Sequence, residues 1–351
     1  MRTNEVSVAI SSLKPRLLRR FTPRNDKLLN AFVLDYKILP GSIRNMTQVE
    51  VMNLRKTHNF IYYFTGLFFL FLSKLKNLMQ GYRSPRPFGI LDFKKAIEYD
   101  FRVVDGWLHF LKEYSGDDSL KGKTILELGP GADLGVGIIT LMKGAEKYNA
   151  IDVNDLVKFV PDEFYRELFG YIDKINGIKP DIDFLRTQLE LACGGKTGKL
   201  NYLCRSDFDI SVFSGEQIDL VLSQAAFEHF DDIEKTIMQL SAVAKPGTML
   251  IAEIDLKTHS RWIRDADPLN IYRYPDFIYN IFKFRSSPNR VRQFEYEKIL
   301  KKFKWVNIKI FPIIVLDNKY LLAVRDFLSK RFRGGDSRME ELTVVLCATK
   351  E

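Results

Sequence analysis

The stretch Thr124-Ile-Leu-Glu-Leu-Gly-Pro-Gly131 constrains this chain more than any other. Thr124 to Leu128 is a short apolar run of the kind that forms a strand buried on both faces. Gly129 and Gly131 then supply a turn without Cβ atoms, across which a ligand can approach the backbone. Apolar positions resume at Val136, Ile138, Ile139 and Leu141 and predict a helix whose N-terminus points into that turn. Strand, glycine turn and helix in this order make the nucleotide crevice of an open α/β sheet.

Glu127 narrows the choice of nucleotide. The dinucleotide fingerprint needs G-x-G-x-x-G, whereas the third glycine here falls one position late, at Gly135. A pyrophosphate suits a helix N-terminus but is repelled by a carboxylate beside it. A ligand carrying ammonium and sulfonium charges tolerates one. The hydrophobic strand ending Glu-x-Gly-x-Gly resembles motif I of class I S-adenosylmethionine-dependent methyltransferases. The alternatives are a dinucleotide-dependent oxidoreductase on the same kind of sheet, or a non-catalytic scaffold of the methyltransferase fold.

The matches continue in order. Lys147 to Asp152 reads as the second strand, and Asp152 lies twenty-one residues beyond Gly131, near the interval at which an acid accepts from ribose hydroxyls. The same aspartate is also suited to capping a following helix. Residues 155–192 predict a long helical insertion packed through Phe159, Phe164, Leu168 and Ile172. Strand three is Leu200 to Cys204. Ser206-Asp207-Phe208 then resembles the family's adenine turn, in which a carboxylate meets the exocyclic amine and an aromatic ring covers the base. Gln217 to Ser223 reads as strand four, followed by Gln224-Ala-Ala-Phe-Glu-His-Phe-Asp-Asp232, which resembles the family's loop beside the transferred methyl group. A helix from Ile233 to Ala244, a Lys245-Pro-Gly247 turn and a strand from Thr248 to Leu256 follow. Later come a helix from Glu295 to Phe303, a sixth strand, Trp305 to Val315, and a closing strand, Leu342 to Ala348.

The resemblance implies a Rossmann-like, doubly wound seven-stranded sheet with its last strand antiparallel and helices on both faces. It covers roughly residue 90 to the end. It implies S-adenosylmethionine as cofactor, bound by Glu127, Gly129, Pro130, Gly131, Asp152, Val153, Asp207, Phe208, Ser223 and Gln224. An oxygen acceptor also calls for a base, and His229 and His259 both follow strands whose ends face the crevice. For either histidine alone, a structural or positioning role is the reading favoured over catalysis. The four histidines are scattered along the chain and no metal-ligand spacing occurs, so no metal is expected.

Charge and composition divide the 351 residues. Residues 1–86 carry 15 Lys/Arg against 4 Asp/Glu, while the remainder is slightly acidic. The basic excess therefore belongs to an N-terminal extension, 1–86, and the enzyme domain is expected over 87–351. An insert at about 257–290, rich in Arg, Tyr, Trp and Phe, is expected to cap the substrate. The enzyme part lacks a basic surface, and strand four ends Ser-Gln-Ala-Ala rather than in an Asn-Pro-Pro-Tyr loop. Both features argue against a nucleic-acid substrate. A small molecule, a glycan or a lipid-linked acceptor remains.

Within the extension, mostly helical by expectation, Phe60-Ile-Tyr-Tyr-Phe-Thr-Gly-Leu-Phe-Phe-Leu-Phe-Leu72 is almost wholly apolar and is followed by Lys74 and Lys76. As a helix it runs about 20 Å, short of the ~30 Å hydrocarbon core of a bilayer. Two readings stand: a helix over 60–76 lying on an anionic membrane surface, or one packed on the enzyme beside an amphipathic helix at Ile90–Tyr114. The start of the chain does not read as a secretory signal. Three cysteines without C-x-x-C spacing, Cys193, Cys204 and Cys347, read as buried free thiols in a reducing compartment. The expected place of work is the cytoplasm, or the inner face of the cell membrane.

Overall fold

Successive side chains of the core strands point to opposite faces of the sheet, and both faces are buried, which divides the interior into two layers. The computed structural model describes residues 48–81, 91–175 and 180–351. The basic cluster Lys14–Arg20 and the 83–89 linker lie outside them. In chain order the elements that matter here are α1 (Gln48–Gln80), α2 (Phe93–Ser115), β1 (Thr124–Leu128), α3 (Gly135–Met142), β2 (Lys147–Asp152), α4 (Asp162–Ile172) and α5 (Ile182–Cys193). They are followed by β3 (Leu200–Cys204), β4 (Ile218–Gln224), α6 (Ile233–Val243), β5 (Ala244–Asp255), α7 (Asp276–Phe282), α8 (Gln293–Lys302), β6 (Trp305–Val315), α9 (Asn318–Val324) and β7 (Glu341–Lys350). Residues Thr57–Glu351 form one compact unit; Met1–Lys56, with the first turns of α1, belongs to another.

The seven strands lie in the order β3-β2-β1-β4-β5-β7-β6. β1 to β5 are mutually parallel, and β7 runs antiparallel to both β5 and β6. Ile125, Tyr148, Ala150, Leu220 and Ile251 point to one face, where α2, α3, α4 and α5 cover them. Leu126, Leu128, Ile151, Val221 and Leu250 point to the other, against α6 and α8. Each core strand therefore loses apolar surface on both sides, as parallel strands with crossover helices require. The crossovers reverse between β1 and β4, which opens a crevice at the C-terminal ends of these two strands.

A third core lies outside the sheet. Leu269, Ile271, Tyr272, Tyr274 and Tyr279 of the segment after β5 pack with Val324, Leu328 and Phe332, and Tyr63, Leu67 and Leu70 of α1 join them. Gly66 makes this close approach possible. A Cβ there would lie 2.0 Å from Asn270 Oδ1 and 2.3 Å from the Tyr274 hydroxyl. At the same junction Arg273 pairs with Asp267 and donates to Asn59 Oδ1, all three side chains being buried. The Tyr274 hydroxyl and the Asn270 amide bond the Tyr63 and Tyr62 carbonyls. The opposite face of α1 stays uncovered: Phe60, Phe64, Phe68, Phe71, Leu75 and Leu78 recur at helical spacing and are exposed. The apolar run thus has one packed face and one open face, and neither sequence reading alone described it. No helix among the described residues is long and apolar enough to cross a membrane.

Three local expectations need correction. The insertion after β2 is two helices, and Phe159 is 68% exposed. It sits in a one-turn 3₁₀ segment before Pro161, out of phase with Phe164, Leu168 and Ile172, which share one face of α4. Lys245-Pro-Gly247 is drawn into the start of β5, with a register shift between Ile218 and Leu220 on its partner. Cys193 and Cys204 are exposed, and only Cys347 is buried. The first two end α5 and the edge strand β3, where apolar sequence neighbours do not translate into burial. Cys347 lies in β7, between β5 and β6, and burial pushes its thiol up to about 12.

Candidate active site

A crevice of about 710 Å³ opens over the switch point. Its floor comes from β1. Glu127 is buried, accepts a hydrogen bond from the Tyr148 hydroxyl and lines the cavity. Gly129 has φ +77° and Gly131 φ +80°, both in the left-handed region open to glycine. A Cβ on Gly129 would lie 2.7 Å from the Ala226 Cβ, so the two loops meet through the missing side chain. Pro130, between them, also faces the cavity. Further along, Gly137 lets α3 press on β2, since a Cβ there would sit 2.6 Å from the Tyr148 ring.

Asp152 ends β2 with its carboxylate turned to this loop. Oδ2 accepts from the Gly131 N–H at 3.2 Å and Oδ1 from the Asn154 N–H at 2.9 Å. Among the described residues it caps no helix; it ties two crevice loops together and still lines the cavity beside Val153. Burial raises its pKa above the ordinary carboxylate value. Asp207 and Phe208 reach the cavity from the loop after β3. The Asp207 carboxylate is exposed and gripped by Arg205 at 2.8 and 3.0 Å, which holds it down to about 2. Phe208 adopts φ +48° and lies 4.9 Å from the Phe230 ring.

From β4, Gln224 lines the crevice but Ser223 does not. The Ser223 hydroxyl is buried and donates to the Leu128 carbonyl at 2.9 Å, stitching β4 to β1 behind the cavity. Ala225, at φ +49°, turns the chain sharply into the loop that carries Ala226, Glu228 and His229. Asp232 then caps α6 by accepting from the Lys235 N–H at 2.9 Å.

The scattered histidines converge. His229 and His259 lie edge to face with ring centroids 4.8 Å apart. His259 Nδ1 is 2.9 Å from the Lys257 carbonyl, and its Nε2 is 3.9 Å from Glu228 Oε1. Burial lowers both imidazoles to about 4, and the neighbouring His259 adds to the shift on His229. Both are therefore neutral near pH 7. Glu228 moves the other way: burial, reinforced by the Asp255 charge, raises it well above the usual range. Burial outweighs the 3.9 Å approach of His259 to Glu228, so each group favours its neutral form.

The wall opposite combines the expected insert with a helix that the sequence did not place there. Leu70 and Ser73 of α1, Tyr99 of α2, and Arg261, Lys283 and Arg285 of the segment after β5 all border the cavity. The aromatic and basic content of that segment was visible, but the contribution of α1 depends on a docking that no local pattern encodes.

Residues 168–252 match the family model described as a methyltransferase domain, a span that runs from α4 into β5. No curated protein matches the chain at a significant level. Similar solved structures include the CurJ carbon methyltransferase, at 14% identity over 85% of this chain and 69% of that one, with a TM-score of 0.41. Another is phosphoethanolamine N-methyltransferase 2 of Haemonchus contortus in complex with S-adenosyl-L-methionine, at 14% identity, 70% and 52% coverage, and a TM-score of 0.37. A third is an S-adenosylmethionine-dependent methyltransferase of Mesorhizobium loti, at 11% identity, 70% and 100% coverage, and a TM-score of 0.36. A dinucleotide would have to set its pyrophosphate beside the buried Glu127, whereas a sulfonium cofactor brings positive charge there, which agrees with the methyltransferase-domain match over residues 168–252.

Proposed function

We propose that this enzyme methylates an oxygen of an amphiphilic, membrane-delivered acceptor, a lipid or a lipid-linked sugar. S-adenosylmethionine supplies a methyl group on a sulfonium, an electrophile with a good leaving group. The residues present fit it: the Gly129–Gly131 turn is a cradle that a Cβ would fill, and carboxylates rather than cations line its floor. Glu127, Gly129, Pro130 and Gly131 would hold the amino-acid end, Asp152 and Val153 the ribose, and Asp207 and Phe208 the adenine. Gln224 would close the methyl side, and Ser223 would act from behind by fixing β4 to β1. The chain's own task is then to orient the acceptor, exclude water and take up one proton. His229 and His259, neutral and at the acceptor side, are the groups placed to accept it.

The segment 257–290 serves as the substrate cap in this reading, with the enzyme domain over 87–351 and the extension 1–86 as its membrane-facing part. The observation that carries the acceptor class is the open aromatic face of α1. It runs from Phe60, 64% exposed, to Leu78, 73% exposed, and the same helix lines the crevice through Leu70 and Ser73. Lys74 Nζ donates to the Ile281 carbonyl at 2.6 Å, so the exposed Phe277 and Ile281 of α7 extend that face. An apolar surface beside the mouth of a polar crevice suits an acceptor whose tail stays in lipid while its head is methylated. The protein would work at the cytoplasmic side of an anionic membrane. Calorimetry with S-adenosylmethionine, followed by transfer of labelled methyl into lipid, glycan and aqueous metabolite fractions, tests both parts. Label confined to the aqueous fraction would overturn the acceptor class and leave the cofactor standing.

A further inference from the structure

Two imidazoles and a buried carboxylate meet at the acceptor side of the crevice with their bonding capacity unspent. Glu228 Oε1 accepts from the Asp255 N–H at 3.2 Å, while Oε2 is buried without a partner. His229 Nδ1 is likewise buried without a hydrogen-bond partner. His259 engages the Lys257 carbonyl through Nδ1, which leaves the Nε2 lone pair turned toward Glu228. In His259 the Nδ1 nitrogen donates to a backbone carbonyl, so Nε2 is fixed as the lone-pair nitrogen. Metal-binding histidines are held in this way. One ring nitrogen of each histidine and one carboxylate oxygen of Glu228 all lie within 4.8 Å of one another.

We propose that Glu228, His229 and His259 bind a divalent transition-metal ion. Two neutral nitrogens and one carboxylate oxygen suit zinc, iron(II), cobalt or manganese, and disfavour calcium and magnesium, which prefer all-oxygen shells. Ligand atoms about 2.0–2.2 Å from an ion stand roughly 3–3.5 Å apart, so the cluster closes by on the order of 1 Å through small side-chain rotations. Three protein ligands leave coordination positions open, and all three residues line the crevice. An ion there also offsets the cost of burying Glu228, whose carboxylate has no cation in contact. The proposal deepens the oxygen-methylation reading and rests on it only for the ion's role. A bound acceptor hydroxyl would lose its proton to solvent water, and the ion would hold the resulting oxyanion in place for methylation. The same lone pair cannot serve both an ion and a proton, so this role replaces that of a histidine base.

The test uses the full chain, stripped with chelator and titrated with cobalt(II) or zinc(II) alone, by calorimetry and by the visible d–d absorption of cobalt. We expect one ion per chain. Glu228→Gln and His259→Asn should each weaken it on the order of tenfold or more, with circular dichroism confirming that both variants fold. Absence of saturable binding by the folded wild type, or unchanged affinity in both variants, overturns the proposal. S-adenosylmethionine affinity of the stripped protein is measured in parallel. If the cofactor binds and the ion does not, the metal site alone fails; if the ion binds and the cofactor does not, the methyltransferase reading fails instead.

Discussion

Gly129 does two jobs with one missing methyl group. Its φ of +77° is left-handed, and its absent Cβ leaves room for Ala226 on the facing loop. Gly129→Val therefore meets both backbone strain, on the order of 1–3 kcal/mol, and a clash at the cradle. We expect S-adenosylmethionine binding to be lost in calorimetry while far-ultraviolet dichroism stays native; near-wild-type affinity would remove the turn from the site. Asp152 gives a prediction in pH. Ribose hydroxyls donate to the carboxylate form, so affinity should be full above the Asp152 pKa and fall as pH drops through it. Burial raises that pKa, so the loss begins at a higher pH than for an ordinary aspartate. Stability has the opposite sign. A carboxyl whose folded pKa exceeds its unfolded one costs stability at high pH, and acidification relieves the cost. Weakening of the cofactor is thus separable from unfolding. Asp152→Asn should bind about 2 kcal/mol more weakly and without this pH dependence; a retained dependence would assign the titration to another group.

Among the elements, α1 shows how a single residue decides where a helix docks. Gly66 faces Asn270 and Tyr274 with no room for a side chain, and the buried Arg273–Asp267 pair with Asn59 lies at the same junction. Gly66→Leu should destabilise the junction by roughly 1–3 kcal/mol, the usual range for overpacking. Tyr63 and Leu67 should become accessible, read as faster amide exchange in α1 and in the segment after β5. Exchange unchanged from wild type would mean that α1 is held elsewhere. The α2 prediction shows the opposite situation. Phe93, Ile97, Phe101, Val104, Leu108 and Leu111 all lie in or against the first core, because an amphipathic helix covering a sheet is specified by its own period.

For the molecule as a whole, the open face of α1 leaves apolar side chains exposed, and Lys74 on this helix bonds the Ile281 carbonyl of α7, where Phe277 and Ile281 are also exposed. Full-length protein should sediment with vesicles of anionic phospholipid at low salt. Replacing Phe64 and Phe68 with serine should reduce the bound fraction at least tenfold, since each buried phenyl ring contributes about 1.5–3 kcal/mol. Equal sedimentation of wild type and variant would show that charge alone, or nothing at this face, makes the contact.

The bounds of β2, β3 and β6 fall where the apolar runs predict, since strand pairing follows the local apolar and β-branched sequence even at the edges of the sheet. The glycine turn was equally legible, because left-handed backbone leaves a local chemical signature at Gly129 and Gly131. Other features depended on partners far along the chain. Ser223 reads as a site residue, yet its hydroxyl is consumed by the Leu128 carbonyl of a neighbouring strand. Cys193 and Cys204 have apolar neighbours but end their elements at the surface. His229 and His259 stand thirty residues apart and look unrelated, until the β4 and β5 loops bring their rings within 4.8 Å. Local period and turn chemistry act over a few residues, so the strand pattern and the glycine turn after β1 could be read from the sequence. The Glu228–His229–His259 cluster and the two faces of α1 arise from the packing of segments far apart in the chain, which no local pattern encodes.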